Sequence, residues 1–286
     1  MGEITNNAHI DTNDAAACKS ADIQRIPKKL HYVWLGGGKF SELMTTCMAS
    51  WSKLCPDYEI IEWNETNFDM NNPWVRLAVE ERNWALASDV MRAYILYEHG
   101  GIYIDTDVEI LQPLDRFLEH DFWMGYECRN WVNTAIIGSA KGNEIVRLAM
   151  ERYERTEAVR IDPHTNLHAV QVYSTLFESL YGIKPNGKMT LHESGLALYP
   201  SEYFYPQHYL THKIRITPDS YAIHRCSCSW HSKGQGKMFR RLRVIRRVIG
   251  APIFGFFEGK VAKGYRKKIR KEFDNASIKI SPVPNK

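Results

Sequence analysis

Strands and helices alternate along residues 30–111 of this 286-residue chain, and that order predicts an α/β fold with an open sheet of parallel neighbours. Two further observations agree. Hydrophobic residues make up 44% of the chain, enough for one large domain with a full core. Trp34, the run Gly36-Gly37-Gly38 and Asp105 also fall at the carboxyl ends of the expected strands, where open α/β sheets bind their ligands.

The elements follow in order. Residues 1–22 are polar, show no sustained period and are expected to be disordered, so the folded domain is expected over 23–232. Leu30 to Leu35 reads as a buried strand running into the three glycines. Ser41 can then cap a helix whose apolar face is Met44, Cys47, Trp51 and Leu54. Tyr58 to Trp63 is the next strand, and Pro73 opens a further helix, as proline can in a first turn. Between Trp84 and His99, Leu86, Val90, Ala93, Tyr94 and Tyr97 recur at helical spacing. Gly100 suits a left-handed helix end, and Gly101 lets the backbone turn into the strand Ile102 to Ile104. Later strands are expected at Phe122 to Tyr126, Ala135 to Gly138, Leu196 to Tyr199 and Tyr221 to His224. Helices are expected near Asn143 to Arg155 and His168 to Leu180.

The chemistry concentrates between residues 87 and 107. Asp89 and Arg92 are three apart and share one side of their helix. Asp105 and Asp107 are two apart, and in extended backbone that spacing sends both carboxylates to one side, where they can converge on one cation. Hard oxygen donors favour Mg2+ or Mn2+ over Zn2+. Such an ion stabilises the charge of a diphosphate as its bond to a sugar breaks. Taken singly, the Asp-x-Asp could be a chance pair and the Asp89–Arg92 pair a solvated helix contact worth about 0.5 kcal/mol. The block as a whole carries the signal.

Ile26 to Gly37 (IPKKLHYVWLGG), Cys55 to Asn64 (CPDYEIIEWN) and Ala87 to Leu111 resemble, in that order, the glycosyltransferase family 32 sequences of bacterial capsule and O-antigen sugar transferases and yeast mannosyltransferases. The likeness spans most of residues 26–232. It implies a GT-A fold of Rossmann-like type and a nucleotide-sugar donor, UDP- or GDP-linked, with Mn2+ or Mg2+ as cofactor. It also implies transfer with retention of configuration. By the same resemblance, Asp105 and Asp107 hold the metal, Asp89 and Arg92 bind the donor sugar, and Trp34 packs on the base. Gly36 and Tyr103 join that donor-facing group. Asn133 matches a family Asn beside the sugar, although an Asn bonding its own backbone in a turn is the ordinary reading. Ser220 to Ser232 is similar to the family's terminal Ile-His-His...Ser-Trp element, which closes over metal and diphosphate. There His224 is a candidate metal ligand or a partly buried structural histidine, Trp230 a donor contact, and Arg225 stands where the second histidine would be. Residues 161–166 depart from the family's Thr-Gly-Pro.

The six cysteines lack metal-ligand spacing, Cys226-x-Cys228 being too close for a zinc knuckle, and no apolar signal segment opens the sequence. Reduced thiols in a cytoplasm are therefore expected. After Ser232 the composition changes, because residues 233–272 hold fourteen Lys or Arg and two Glu. Leu242, Val244, Ile245, Val248, Ile249, Ile253, Phe254, Phe256 and Phe257 are interleaved with that charge in runs too short to span a bilayer. Residues 233–286 thus read as a basic amphipathic helical tail for an anionic membrane surface. A solvated basic helix is the plainer alternative, and nucleic acid is not expected, since no recognition module accompanies the charge. The combined expectation is an enzyme on the inner face of the cytoplasmic membrane, adding sugar to a lipid-linked glycan during surface-polysaccharide synthesis. The alternatives are a toxin-like transferase acting on a host protein, or a non-catalytic basic adaptor for membranes or nucleic acid.

Overall fold

The computed structural model describes residues 24–155, 168–226 and 233–280. The expectations for residues 1–22, 161–166 and Trp230 lie outside them. In chain order the first elements are β1 (Lys29–Val33), α1 (Glu42–Leu54), β2 (Glu59–Trp63), α2 (Pro73–Glu80), α3 (Trp84–His99), β3 (Gly101–Ile104) and β4 (Val108–Ile110). They are followed by β5 (Phe122–Cys128), β6 (Trp131–Ser139), α4 (Glu144–Arg155), α5 (His168–Tyr181), β7 (Thr190–Leu191) and β8 (Leu196–Tyr199). The last are α6 (Ser201–Phe204), β9 (Ala222–His224), α7 (Lys233–Ile249) and α8 (Ala251–Asn275).

Helices cover both faces of a seven-stranded sheet of order β2-β1-β3-β6-β5-β8-β7, so the fold is α/β as expected. The expected parallel neighbours are found at β2–β1–β3 and again at β5–β8, with antiparallel pairs between and beyond them. β1 is parallel to both β2 and β3, whereas β6 is antiparallel to β3 and to β5. The reason is covalent: only Arg129 and Asn130 separate β5 from β6, and a connection that short can join antiparallel strands alone. Along β3 the side chains alternate between two cores. Ile102 and Ile104 enter one with Trp51 and Phe117, and Tyr103 enters the other with Val90, Met91 and Ile137.

Local signals set the elements that aim the site. Ser41 caps α1, its side chain accepting from the Met44 amide at 3.2 Å. Gly100 ends α3 with φ +62, and a Cβ on Gly101 would stand 2.9 Å from His31 Nε2 and from the Lys29 carbonyl. These two glycines bring β3 back against β1 directly after the helix.

Within residues 233–280, α8 packs on the rest of the domain. Gly250, at φ +80, separates α7 from α8, and α8 buries Phe254, Ala262, Ile269 and Phe273. Ile269 and Phe273 belong to the core formed with α3, α4 and α5. Glu272 pairs with Arg152 at 2.9 Å and Glu178 with Arg266 at 3.2 Å. The basic composition masks a periodic buried stripe, because the lysines and arginines occupy the other positions of each turn. The opposite face of α8 exposes Ile253, Phe256, Phe257 and Val261, and α7 exposes Val244, Ile245 and Val248. Among the described residues no helix is long and apolar enough to cross a membrane, and Cys47, Cys55, Cys128 and Cys226 are free thiols.

Candidate active site at the end of β3

β3 ends at Ile104, and Asp105 to Asp107 form a turn before β4, closed by the Val108 amide on the Asp105 carbonyl at 3.0 Å. The two carboxylates therefore converge through a turn and not through strand alternation. The turn is anchored on each side. The Asp105 amide donates to the Ala135 carbonyl at 2.8 Å, while β4 pairs with β9 in a register that sets Val108 opposite His224. From α1, Trp51 Nε1 donates to the Val108 carbonyl at 2.8 Å, and Ser50 Oγ accepts from the Ile110 amide at 2.9 Å.

This pairing delivers His224 to the carboxylates. Its Nε2 lies 3.3 Å from Asp107 Oδ1, and ligand atoms of Asp105, Asp107 and His224 lie within 4.8 Å of one another. Burial would depress the imidazole, but the Asp107 carboxylate, with Cys226 beside it, holds its pKa well above the usual range. Burial raises the Asp105 pKa, and repulsion from Asp107 adds to it against the pull of Arg92. Buried carboxylates this close call for a cation. The donors are oxygens and one imidazole, a set that fits Mn2+ or Mg2+.

Arg92 organises the wall beside them. It is 3% exposed and stacks over the Tyr103 ring at 4.4 Å. Its guanidinium lies 3.1 Å from Asp89 Oδ1 and 3.5 Å from Asp105 Oδ1. It also donates to the Ser88 carbonyl at 3.2 Å and to the Thr134 carbonyl of β6. Asp89 is raised to about 6, first by burial and then by Asp105, with Arg92 opposing. The Tyr103 hydroxyl donates to Asp105 at 2.9 Å from a ring that is 1% exposed. Tyr103, expected among the donor-facing residues, is buried and supports Asp105 through its hydroxyl.

The remaining expected residues lie on adjoining strand ends. Trp34 follows β1, parallel to β3; it is half-buried, packs on Phe40 at 4.3 Å and donates to the Gly38 carbonyl at 2.8 Å. Gly36, at φ +78, donates to Glu65 at 2.6 Å and lies against Trp84. Asn133 Oδ1 accepts from the Ala135 amide at 2.7 Å, which is the turn bond of the ordinary reading, and its amide also bonds Glu127. Arg225 turns away to pair with Glu109, its Nε donating at 2.9 Å. Sequence reasoning missed Glu127, Cys226 and Tyr205, whose hydroxyl donates to the Asn133 carbonyl at 3.1 Å and whose ring packs edge-on against His224 at 6.2 Å. No short spacing ties these three to the Asp-x-Asp.

Two curated relatives from Schizosaccharomyces pombe are similar to this chain. Inositol phosphoceramide mannosyltransferase 3 is 29% identical over 142 residues, covering 48% of this chain and 37% of the relative. Inositol phosphoceramide mannosyltransferase 2 is 25% identical over 237 residues, covering 81% and 66%. Subversion of eukaryotic traffic protein A of Legionella pneumophila is 25% identical over 171 residues, covering 48% and 26%. The chain thus spans from about a quarter to about two thirds of these relatives' lengths. Among solved structures, PaToxG glycosyltransferase aligns with a TM-score of 0.43 at 18% identity, over 55% of this chain and 70% of its own. A glycosyltransferase involved in glycosylation of the major capsid of PBCV-1 aligns with a TM-score of 0.38 at 11% identity, over 74% and 98%. Residues 41–123, which run from the cap of α1 through Asp89, Arg92, Asp105 and Asp107, match the family model described as the glycosyltransferase sugar-binding region containing the DXD motif.

Proposed function

We propose that this chain is a divalent-metal-dependent glycosyltransferase that moves a hexose from a UDP- or GDP-sugar to a lipid-linked glycan, with retention. The observation that carries this reading is the convergence of Asp105, Asp107 and His224 beside the Asp89–Arg92 pair, inside the matched sugar-binding region. When bound, Mn2+ or Mg2+ held by those three residues supplies positive charge to a diphosphate leaving group. The chain's own side chains do the rest. Tyr103 and Arg92 fix the Asp105 carboxylate from behind, so little reorganisation accompanies donor binding. Asp89 keeps a partly exposed carboxylate for sugar hydroxyls. Trp34, set one strand away, offers a ring face to a base.

The acceptor class rests on two supports. Both yeast relatives carry names that describe mannose transfer to a lipid, inositol phosphoceramide. The exposed apolar side chains of α7 and α8 are set among exposed arginines and lysines, a combination that suits an anionic bilayer surface. On this reading the enzyme works on the inner face of the cytoplasmic membrane, in capsule or O-antigen synthesis.

The test is hydrolysis of a panel of UDP- and GDP-hexoses by purified protein with and without Mn2+, followed by transfer to extracted lipid-linked glycans. Mn2+-dependent hydrolysis of one donor is expected; none with any donor would sink the enzyme. Transfer to protein alone would replace the lipid-linked acceptor by the toxin-like reading. Co-sedimentation with anionic liposomes that survives Val248→Glu with Phe256→Glu would remove the membrane surface.

A further inference from the structure

The imidazole that completes the carboxylate set has a second nitrogen, and that nitrogen faces different donors. His224 Nε2 points to Asp107, whereas Nδ1 lies 3.6 Å from Cys226 Sγ. Ligand atoms of Glu127, His224 and Cys226 lie within 4.8 Å of one another, and all three side chains are partly buried. Cys226 adopts φ +49, a conformation uncommon outside glycine, asparagine and aspartate, with its thiol turned back to the histidine before it. Glu127 extends from β5 into the same space, where burial raises its carboxyl pKa. Thiolate, imidazole and carboxylate make a borderline-soft set, unlike the oxygen-rich one next to it.

We infer that Glu127, His224 and Cys226 form a second site, for Zn2+, that competes with the catalytic cation for His224. The competition rests on the reading of Asp105, Asp107 and His224 as the hard-cation set. Zinc binding converts the Cys226 thiol to thiolate and takes the Nδ1 lone pair, with the thiol proton and the Nδ1 proton of the imidazolium both passing to solvent. The ring proton then resides on Nε2, where it donates to Asp107 and leaves no lone pair for Mn2+. Zinc therefore acts as an inhibitor whose effect runs through one imidazole.

The experiment is titration of the full-length protein with Co2+ alone, with Zn2+ affinity measured by equilibrium dialysis. Wild type should show thiolate-to-cobalt charge-transfer absorption in the near ultraviolet, absent in Cys226→Ser. Zn2+ affinity should fall at least about tenfold in Cys226→Ser and in Glu127→Gln, the scale on which site ligands act. Mn2+-supported donor hydrolysis should be unchanged in Cys226→Ser, with inhibition by Zn2+ shifted by the same factor. Identical spectra and Zn2+ affinity in wild type and both variants would overturn the site, whether or not the protein hydrolyses any donor. Loss of the spectrum with unaltered Zn2+ inhibition would overturn the competition through His224.

Discussion

Among the described residues two arginines lie almost wholly inside this protein, and they do different work. Arg152 on α4 is 2% exposed, packs 5.1 Å from the Tyr153 ring and meets Glu272 of α8 at 2.9 Å. Arg92 on α3 is 3% exposed and stacks on Tyr103, but it faces Asp89 and Asp105 together, with Asp107 and His224 just beyond. The first meets a carboxylate of another helix and fastens that helix. The second leaves negative charge in excess. A buried ion pair is expensive to desolvate, so a buried cluster that stays out of balance marks a place where another cation belongs.

Asp107→Asn attacks the unbalanced side and should have the largest effect. Turnover with Mn2+ should fall on the order of a thousandfold, about 4 kcal/mol of barrier, because both cation affinity and leaving-group stabilisation weaken. Far-UV circular dichroism should be retained, and the rise in melting temperature on adding Mn2+ should vanish. Arg152→Ala attacks the helix contact. It should lower stability by about 3 kcal/mol, leaving Glu272 without its buried partner, while hydrolysis per folded molecule stays at the wild-type level. Arg92→Lys should do some of each. Its planar fork spans Ser88, Thr134, Asp89 and Asp105, so a point charge loses about 2 kcal/mol of stability and turnover falls with it. Chemical denaturation and kinetics on the folded fraction separate the three.

The smallest effect is in pH. Asp89 is raised from 3.8 to about 6 in the fold, so between those values the native state binds more protons than the unfolded chain. Stability from this group is then present below pH 4 and is lost as pH rises through 6, on the order of 2 kcal/mol. Metal-free wild type should show that decline relative to Asp89→Asn in denaturant titrations at pH 4 and pH 7. Equal pH dependence in the two would place Asp89 outside the charged cluster.

Legibility followed the range of the signal. The α3–β3 block stood in the sequence because its determinants are neighbours: the 3.6-residue period, the paired glycines and the three-residue spacing of Asp89 and Arg92 all act within one or two turns. The turn at Asp105 was less legible, since its carboxylates are aimed by a hydrogen bond to Ala135 and not by their own spacing. The antiparallel pairings of β6 and the docking of α8 were not legible at all. A heavily basic helix shows its charge more loudly than its buried stripe of Phe254, Ala262, Ile269 and Phe273. Glu127 and Cys226 share the same obstacle, lying on β5 and after β9 with no local pattern joining them.

The β4–β9 ribbon has a consequence for how the molecule is made. Glu109 and Arg225, which clamp it, are 116 residues apart, while β1, β2 and β3 come together within the first part of the chain. Pairing across so long a separation carries a large loop-closure entropy and forms late. During synthesis both aspartates emerge long before His224 can reach them. On the proposed reading, tight cation capture would be withheld from the incomplete chain and would arrive with the strand that closes the β4–β9 ribbon, so the ion would report on completed folding instead of directing it.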